Sequence, residues 1–511
     1  MKLREGLQQR LLVYTEADRN NLITVPLKDR LVREHLSQFA IAEGDLPKQL
    51  DRYAEEWLSY ESLGNVFGLV WPLKGLKEFD AEFGRHFFYF DLPSLAPSET
   101  RQIAPLYLYA GPGDWQTIQR TWRRLHGTTH ERRSQKPSDE TQSHLDISFN
   151  KPLITLTDHL TAELQINTTR EYKLDGQLTI QPPTGWHSEP EQVTVSGLVH
   201  ETPAESPVLF DGTAPRVGAY AGELHLNTQL FDRVQPFTIF RLGDNAKTVE
   251  TAQTAREGHV LWTLSNGHSE WTIAPDYHGG IISWQEVGKD TNHFLTAFPQ
   301  DGELSWMKPF FGGLRPILHE SGESGWPGKL HKETFTVSPI TIPDARALPW
   351  QGLRLSTELT REAFRGMNLE LDYLTLPGSN VLKSTIRLVN QTSIYRKADP
   401  GFLAFVQVDG THKNGTAHTP DFQRKRTPHM TWAVTSPWAA IENPETGRTM
   451  VAVNPTGWQQ LMAMDWGMHG VHFNIFESVS VPPQGVYELT TYLALAGSVD
   501  EAKRYGELVK R

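Results

Sequence analysis

Short runs in which apolar and polar residues alternate dominate this chain. Leu369, Leu371 and Tyr373 alternate with Glu370 and Asp372, and Ile386 and Leu388 alternate with Thr385 and Arg387. A period of two, bounded by turn residues, marks antiparallel strands with one buried face. The 40 glycines and 33 prolines fall repeatedly between such runs, so the chain reads as many strands joined by turns. Helical spacing is confined to a few places. Trp115, Ile118, Trp122 and Leu125 recur at i, i+3, i+7 and i+10, one face of a helix capped by Asp114. Charged, helix-favouring sequence over 28–57, interrupted from Gly44 to Pro47, predicts two more short helices, and a last one runs from Asp500 to Lys510.

The same pattern sets the domain plan. Residues 128–144 are polar and aperiodic, as a linker is. Residues 145–244 form short strands broken at Pro182, Pro183 and Gly185 and again at Gly212 and Pro215, the size and rhythm of an immunoglobulin-like sandwich. Residues 245–511 form a larger all-β unit. An internal repeat links its end to residues 1–127. Blocks beginning at Trp57, Phe67, His86 and Tyr107 recur in order at Trp438, Met450, His472 and Tyr492, and each set is followed by a helix-capping aspartate. Gly111 to Gly497 and Asp114 to Asp500 are both 386 positions apart. The first unit therefore reads as only the second half of a fold that the last unit holds whole. On this reading it is either a trimmed domain or part of the tail of a longer protein.

Composition narrows the chemistry. At roughly 150 residues per domain, 511 residues would make about three domains; the repeat changes that to two and a half. The formal net charge of −11, with no dominant basic block, argues against nucleic acid as a partner. The absence of cysteine removes disulfides, thiolate nucleophiles, iron–sulfur clusters and cysteine-bound zinc. No apolar run is long enough to span a membrane. The amino terminus has charges with no apolar segment behind them, so a cytoplasmic location is expected. The histidines show no metal-ligand spacing, and no phosphate-binding or dinucleotide fingerprint is present, so neither metal nor cofactor is expected.

Four segments then point to a family. Ala274–Trp284 with its Gly279-Gly280 turn, Trp350–Ser356, Arg365–Leu371, and Val381–Asn390 with its terminal asparagine resemble the galactose-mutarotase-like β-supersandwich. The resemblance covers about 255–498, and half of it recurs in 57–111. Residues 145–244 are similar to the small sandwich associated with α-galactosidases, through Gly176–Ile180 followed by Pro183–Trp186. The resemblance implies a mainly β protein that handles carbohydrate. Supersandwich domains occur as aldose epimerases, as lyase and phosphorylase modules and as non-catalytic modules, so the fold does not fix the activity.

Sugars need aromatic faces for their C–H surfaces and charged or imidazole groups for their hydroxyls. Trp306, Lys308, Arg315, Glu320, Trp326, His331 and Glu333 supply these within 30 residues, with Gln407 and Asp409 as later candidates. The glycines beside Arg315 would let a ligand approach the backbone. Ring-opening epimerisation needs a general acid and a general base; His319 and Glu477 are the candidates. The resemblance also implies a histidine soon after the strand ending at Asn390, yet none follows before His412. The leading expectation is an accessory carbohydrate-recognition region, partnered by an upstream catalytic domain. The alternatives are an aldose epimerase-like enzyme or glycoside hydrolase, and a structural tail that forms homo-oligomers.

Overall fold

The computed structural model describes residues 9–14, 22–28, 31–35, 50–62, 65–71, 76–82, 85–90, 105–126, 145–168, 173–199, 202–213, 216–228, 232–304, 307–319, 328–344, 346, 348–411, 415–418, 423–425, 431–434, 438–454, 460–465 and 471–508. Contacts divide the chain into two compact units, residues 1–132 with 431–436, and residues 133–430 with 437–511. Both are mainly β, as the alternation predicts. The linker expected at 128–144 lies outside the described residues.

In the first unit a five-stranded antiparallel sheet runs in the order Leu31–His35, Leu22–Pro26, Trp57–Ser62, Asn65–Val70, Tyr107–Pro112. A three-stranded sheet orders Gln9–Tyr14, Arg85–Phe90 and Leu76–Glu82. Ile23, Val25, Leu58, Tyr60 and Leu69 of the first sheet share one apolar core with Leu76 and Phe88 of the second. The Trp115–Leu125 helix forms where its periodicity places it, with the Asp114 carboxylate accepting from the Thr117 backbone N–H at 3.2 Å. It packs Trp115 parallel to Trp57 with ring centroids 6.1 Å apart, and buries Ile118 over Gly68. A Cβ at Gly68 would stand 2.3 Å from Ile118, so only glycine admits this helix so closely.

The helices expected over 28–57 are not found among the described residues. That stretch holds the strand Leu31–His35 and a single 3₁₀ turn, Leu50–Arg52. The strand is fixed by pairing with Leu22–Pro26, whose Ile23 and Val25 are buried, while Arg33 reaches Glu61 at 3.2 Å on its exposed side. Its own charges suggest a helix; the adjacent strand Leu22–Pro26, to which it pairs along its whole length, selects a strand instead.

The second unit begins with a sandwich of two sheets. One orders Leu153–Thr155, Asp232–Arg241, Gly218–Thr228, Leu174–Gln181 and Gln192–Leu198; the other orders Trp186–Glu189, Ala204–Gly212, His159–Thr168 and Leu145–Phe149. Leu164, Leu178, Trp186, Phe210, Leu224 and Ile239 lie in the core between them. A larger pair of sheets follows. The first runs Glu250–Arg256, His259–Ser265, Ser269–Ala274, Gly280–Glu286, Leu314–His319, Arg396–Val406, Val471–Phe476, Gln460–Asp465. The second runs Thr336–Pro343, Pro349–Glu358, Met367–Thr375, Val381–Asn390, Val486–Ala496, Thr449–Val453, Trp438–Glu442, Thr416–His418, Gln423–Lys425. Tyr373 of the second meets Phe402 of the first, with ring centroids 6.4 Å apart, and donates its hydroxyl to the Gly279 carbonyl at 2.8 Å.

Asn266 joins the two larger sheets through its side chain and through its backbone carbonyl, which accepts from the Gly378 N–H at 2.7 Å. Fully buried, its amide nitrogen donates to Thr375 Oγ1 and to the Leu376 and Ser379 carbonyls at 2.8–3.0 Å, and its oxygen accepts from the His268 and Ser269 N–H groups.

Strand order in the first unit recurs in the second. Trp57–Ser62, Asn65–Val70 and Tyr107–Pro112 are joined as Trp438–Glu442, Thr449–Val453 and Val486–Ala496 are. The registers agree as well: Trp57 stands opposite Val70 and Val70 opposite Tyr107, as Trp438 stands opposite Val453 and Val453 opposite Tyr492. A helix follows each set.

The closing helix, Val499–Tyr505, joins the small sandwich to the large one. Glu501 is 4% exposed and accepts from the Gly497 N–H at 2.9 Å and from Arg216 of the small sandwich at 3.3 Å. Gly218 leaves room for it, since a Cβ there would stand 2.5 Å from Glu501 Oε1. Thr238 donates to Glu507 at 2.7 Å, and Arg504 to the Ala219 carbonyl at 3.2 Å. Glu501→Ala is expected to cost about 1–2 kcal/mol in chemical denaturation, because the buried carboxylate loses its bonds to the Gly497 N–H and to the largely exposed Arg216. A wild-type midpoint would contradict this linking role.

Candidate functional site

Leu314–His319 is buried at all six positions. Its alternation puts Arg315, Ile317 and His319 on one face. Cross-strand neighbours share a face: Arg315 stands opposite Leu403, Leu403 opposite Asn474, Phe405 opposite His472, and His319 opposite Asp399. An apolar patch of Met307, Phe310, Ile317, Leu403 and Phe405 lies on this face. Phe310 meets Phe405 edge-on at 4.9 Å, and the His472 ring lies 4.8 Å from Phe405. Arg315, His319, Asp399, His472 and Asn474 are each no more than 9% exposed.

Arg315 is the most unusual of these. Its guanidinium lies 4.8 Å above the Phe311 ring and donates to the Gly328 carbonyl at 3.0 Å and the Pro309 carbonyl at 3.4 Å. Among the described residues no carboxylate pairs with it. Burial lowers it to about 10, so it stays cationic at neutral pH. Beside it, His278 is fully buried, and neither ring nitrogen has a hydrogen-bond partner. Burial and the neighbouring guanidinium hold His278 well below its ordinary value, as burial alone holds His472 at about 3, so both rings are neutral at pH 7. His472 Nδ1 is also without a partner. Buried polar atoms are nearly always satisfied, and exceptions in a native fold mark water, an ion or a ligand.

Gly312 and Gly313 prepare this strand, both at positive φ (73° and 68°). A Cβ would stand 2.2 Å from the Leu295 carbonyl oxygen at the first and 2.0 Å from that of Ile281 at the second. The close approach these glycines permit is to the chain's own backbone, where the sequence suggested a ligand.

The other expected residues are dispersed. Trp306, Glu320 and Trp326 lie outside the described residues. Lys308 is exposed and pairs with Glu303. Gln407 donates to the Asn292 and Phe294 carbonyls. Asp409 accepts from Thr446 at 2.6 Å and from Arg448 at 2.8 Å, and Arg448 also holds Glu286 at 2.8 Å. Glu477 accepts from the Tyr487 hydroxyl at 2.7 Å. His319 Nδ1 lies 3.4 Å from the Asp399 carboxylate.

His331 and Glu333 line a separate cavity of about 450 Å³ with Trp262, Asp276 and Phe335. Glu333 is 5% exposed; its Oε2 accepts from the Thr360 N–H and hydroxyl at 3.1 and 2.9 Å, and its Oε1 has no partner. Gly279, at φ 74°, lets Phe335 close in, since a Cβ there would stand 2.7 Å from the ring. The His331 ring lies 5.2 Å from Phe311, the ring beneath Arg315.

Sequence reasoning missed Trp262, His278, Asp399, His472 and Asn474 as site residues. His472 and Asn474 carry a signal in their spacing of two along Val471–Phe476. His278 carries one in its place at the Gly279-Gly280 turn. Trp262 and Asp399 carry none, because only pairing across the sheets brings them into place.

No protein-family model matches the chain, and no curated protein sequence is significantly similar to it. Solved structures of galactose-mutarotase-like proteins match about half of it. A galactose mutarotase-like protein from Clostridium acetobutylicum is 11% identical, with a TM-score of 0.37, over 49% of this chain and 99% of that one. Galactose 1-epimerase from Lactobacillus acidophilus is 9% identical, with a TM-score of 0.36, over 49% and 99%. A galactose mutarotase-like protein from Lactobacillus casei is 9% identical, with a TM-score of 0.35, over 46% of this chain and 100% of that one.

Proposed function

We propose that the region spanning residues 250–508 recognises carbohydrate on the sheet face around Arg315, as the binding part of a carbohydrate-active protein. The observation that carries this reading is Arg315 itself, a buried cation without an ion pair among the described residues, beside an imidazole with two unpartnered nitrogens. A sugar ring offers alternating donors and acceptors to a guanidinium and neutral imidazoles. The recurring strand order supports reading residues 1–127 as a half copy of the same architecture.

Tryptophan fluorescence titration against glucose, galactose and their oligosaccharides tests this. Arg315→Met, checked for fold by circular dichroism, is expected to weaken binding about 30- to 100-fold through the loss of two charge-assisted hydrogen bonds. Equal binding by a folded variant would overturn the reading.

The His319–Asp399 pair favours a second reading, in which His319 acts as the base of a ring-opening epimerase. Such chemistry needs an acid facing the base across the sugar, and the carboxylate suggested for it, Glu477, is engaged by Tyr487. Polarimetry on α-glucose and α-galactose is expected to show mutarotation no faster than in buffer. Acceleration that His319→Asn removes would replace the binding reading with the enzymatic one.

A further inference from the structure

We infer that the cavity lined by Trp262, Asp276, His331, Glu333 and Phe335 is a second saccharide subsite, so that the ligand is a chain of neutral hexopyranoses of two or more residues. The inference rests on the carbohydrate reading above, and its observations are separate from those at Arg315. The cavity, about 450 Å³, has two aromatic walls, the half-buried Trp262 and the buried Phe335. Its polar lining is built and not merely decorated. Glu333 is 95% buried and anchored through Oε2 by Thr360, which leaves Oε1 as a fixed acceptor without a donor. His331 Nδ1 likewise has no partner, and burial, followed by the charges of Arg315 and Lys332, keeps that ring neutral. Asp276 is oriented by the Val260 N–H at 3.1 Å and by His259 at 3.3 Å, with 44% of its side chain exposed.

This lining selects the ligand. Two carboxylates and a neutral imidazole ask for hydrogen-bond donors, and the aromatic walls ask for a C–H face; a hydroxylated ring supplies both. Lys332 also lines the cavity, but the two carboxylates Glu333 and Asp276 outnumber it, so a uronic acid is disfavoured against a neutral ring. The Arg315 face and the cavity are one aromatic ring apart, since Phe311 lies under Arg315 and beside His331. That juxtaposition suits neighbouring residues of one chain.

An array of glucose-, galactose- and mannose-based saccharides of one to six residues, probed with the full chain, tests the inference. Chains of two or more residues should bind at least about tenfold more tightly than the matching monosaccharide, an increment one ring's added contacts can supply. Trp262→Ala and the isosteric Glu333→Gln should each remove that gain, while Arg315→Met should weaken binding of mono- and oligosaccharides alike. A gain that survives both cavity variants, or no gain with chain length, overturns the second subsite and leaves the Arg315 reading intact. Binding that depends on Trp262 and Glu333 but is indifferent to Arg315→Met would overturn the Arg315 reading and keep the cavity as a saccharide site. No binding by any saccharide overturns both.

Discussion

Acidification from pH 6.5 to 4.5 is expected to destabilise the second unit by on the order of 5 kcal/mol. Two buried histidines set the size of the effect. His293 is 1% exposed and is held at about 4, chiefly by burial and secondarily by Arg448, against the opposing pull of Asp409 and Glu286. His472 is 2% exposed and is held at about 3 by burial. The unfolded chain takes up these protons near 6.5, whereas the folded chain refuses them until about pH 4 and 3. Between those limits the unfolded state binds more protons, so stability is complete above 6.5 and falls as pH drops through the window. His278 acts in the same direction. Glu286 enters only below about 4.5. Burial raises its carboxyl, but bonds and charge from Lys289 and Arg448 outweigh this and hold it at about 2. Urea denaturation followed by tryptophan fluorescence across this range checks the expectation. Midpoints that stay level from pH 7 to 4.5 would sink it, and His472→Leu should flatten the slope.

Asn266→Ala is expected to cost about 3–5 kcal/mol, among the largest losses available to one small polar side chain here. Five partners lose their bond at once: two backbone N–H groups beside the residue and three oxygens on the Thr375–Ser379 segment of the opposite sheet. Four of these bonds are buried and the one to the His268 N–H is partly so. Asn266→Asp should also be costly, because a carboxylate cannot donate to the three oxygens. The measurement is thermal or chemical unfolding of each variant, and a loss below about 1 kcal/mol for Asn266→Ala would show that the sheets are joined chiefly by apolar packing.

How much of this was legible in the sequence depends on the range of the forces involved. Strands such as Met367–Thr375 and the capped helix Trp115–Leu125 could be read directly, because their period and caps are local. The strand Leu31–His35 could not, since its partner and not its own charges decides its state. At the candidate site, Arg315 was legible by its chemistry and its place among aromatic residues. The company it keeps was not: Leu403, Asn474 and His472 reach its sheet face only through register between strands remote in the chain. Asp409 and Gln407 show the opposite error. Their residue types suit a sugar, yet here they tie loops together.

The closing helix has a consequence for how the molecule is made. The small sandwich carries its own core and is complete by residue 241, so it can collapse early as the chain leaves the ribosome. Arg216, Thr238 and the Ala219 carbonyl, however, find their partners only in residues 501–507, 269 to 285 positions later. Until residues 501–507 are made, that face of the sandwich lacks these partners, so its seating against the larger sheets is completed late.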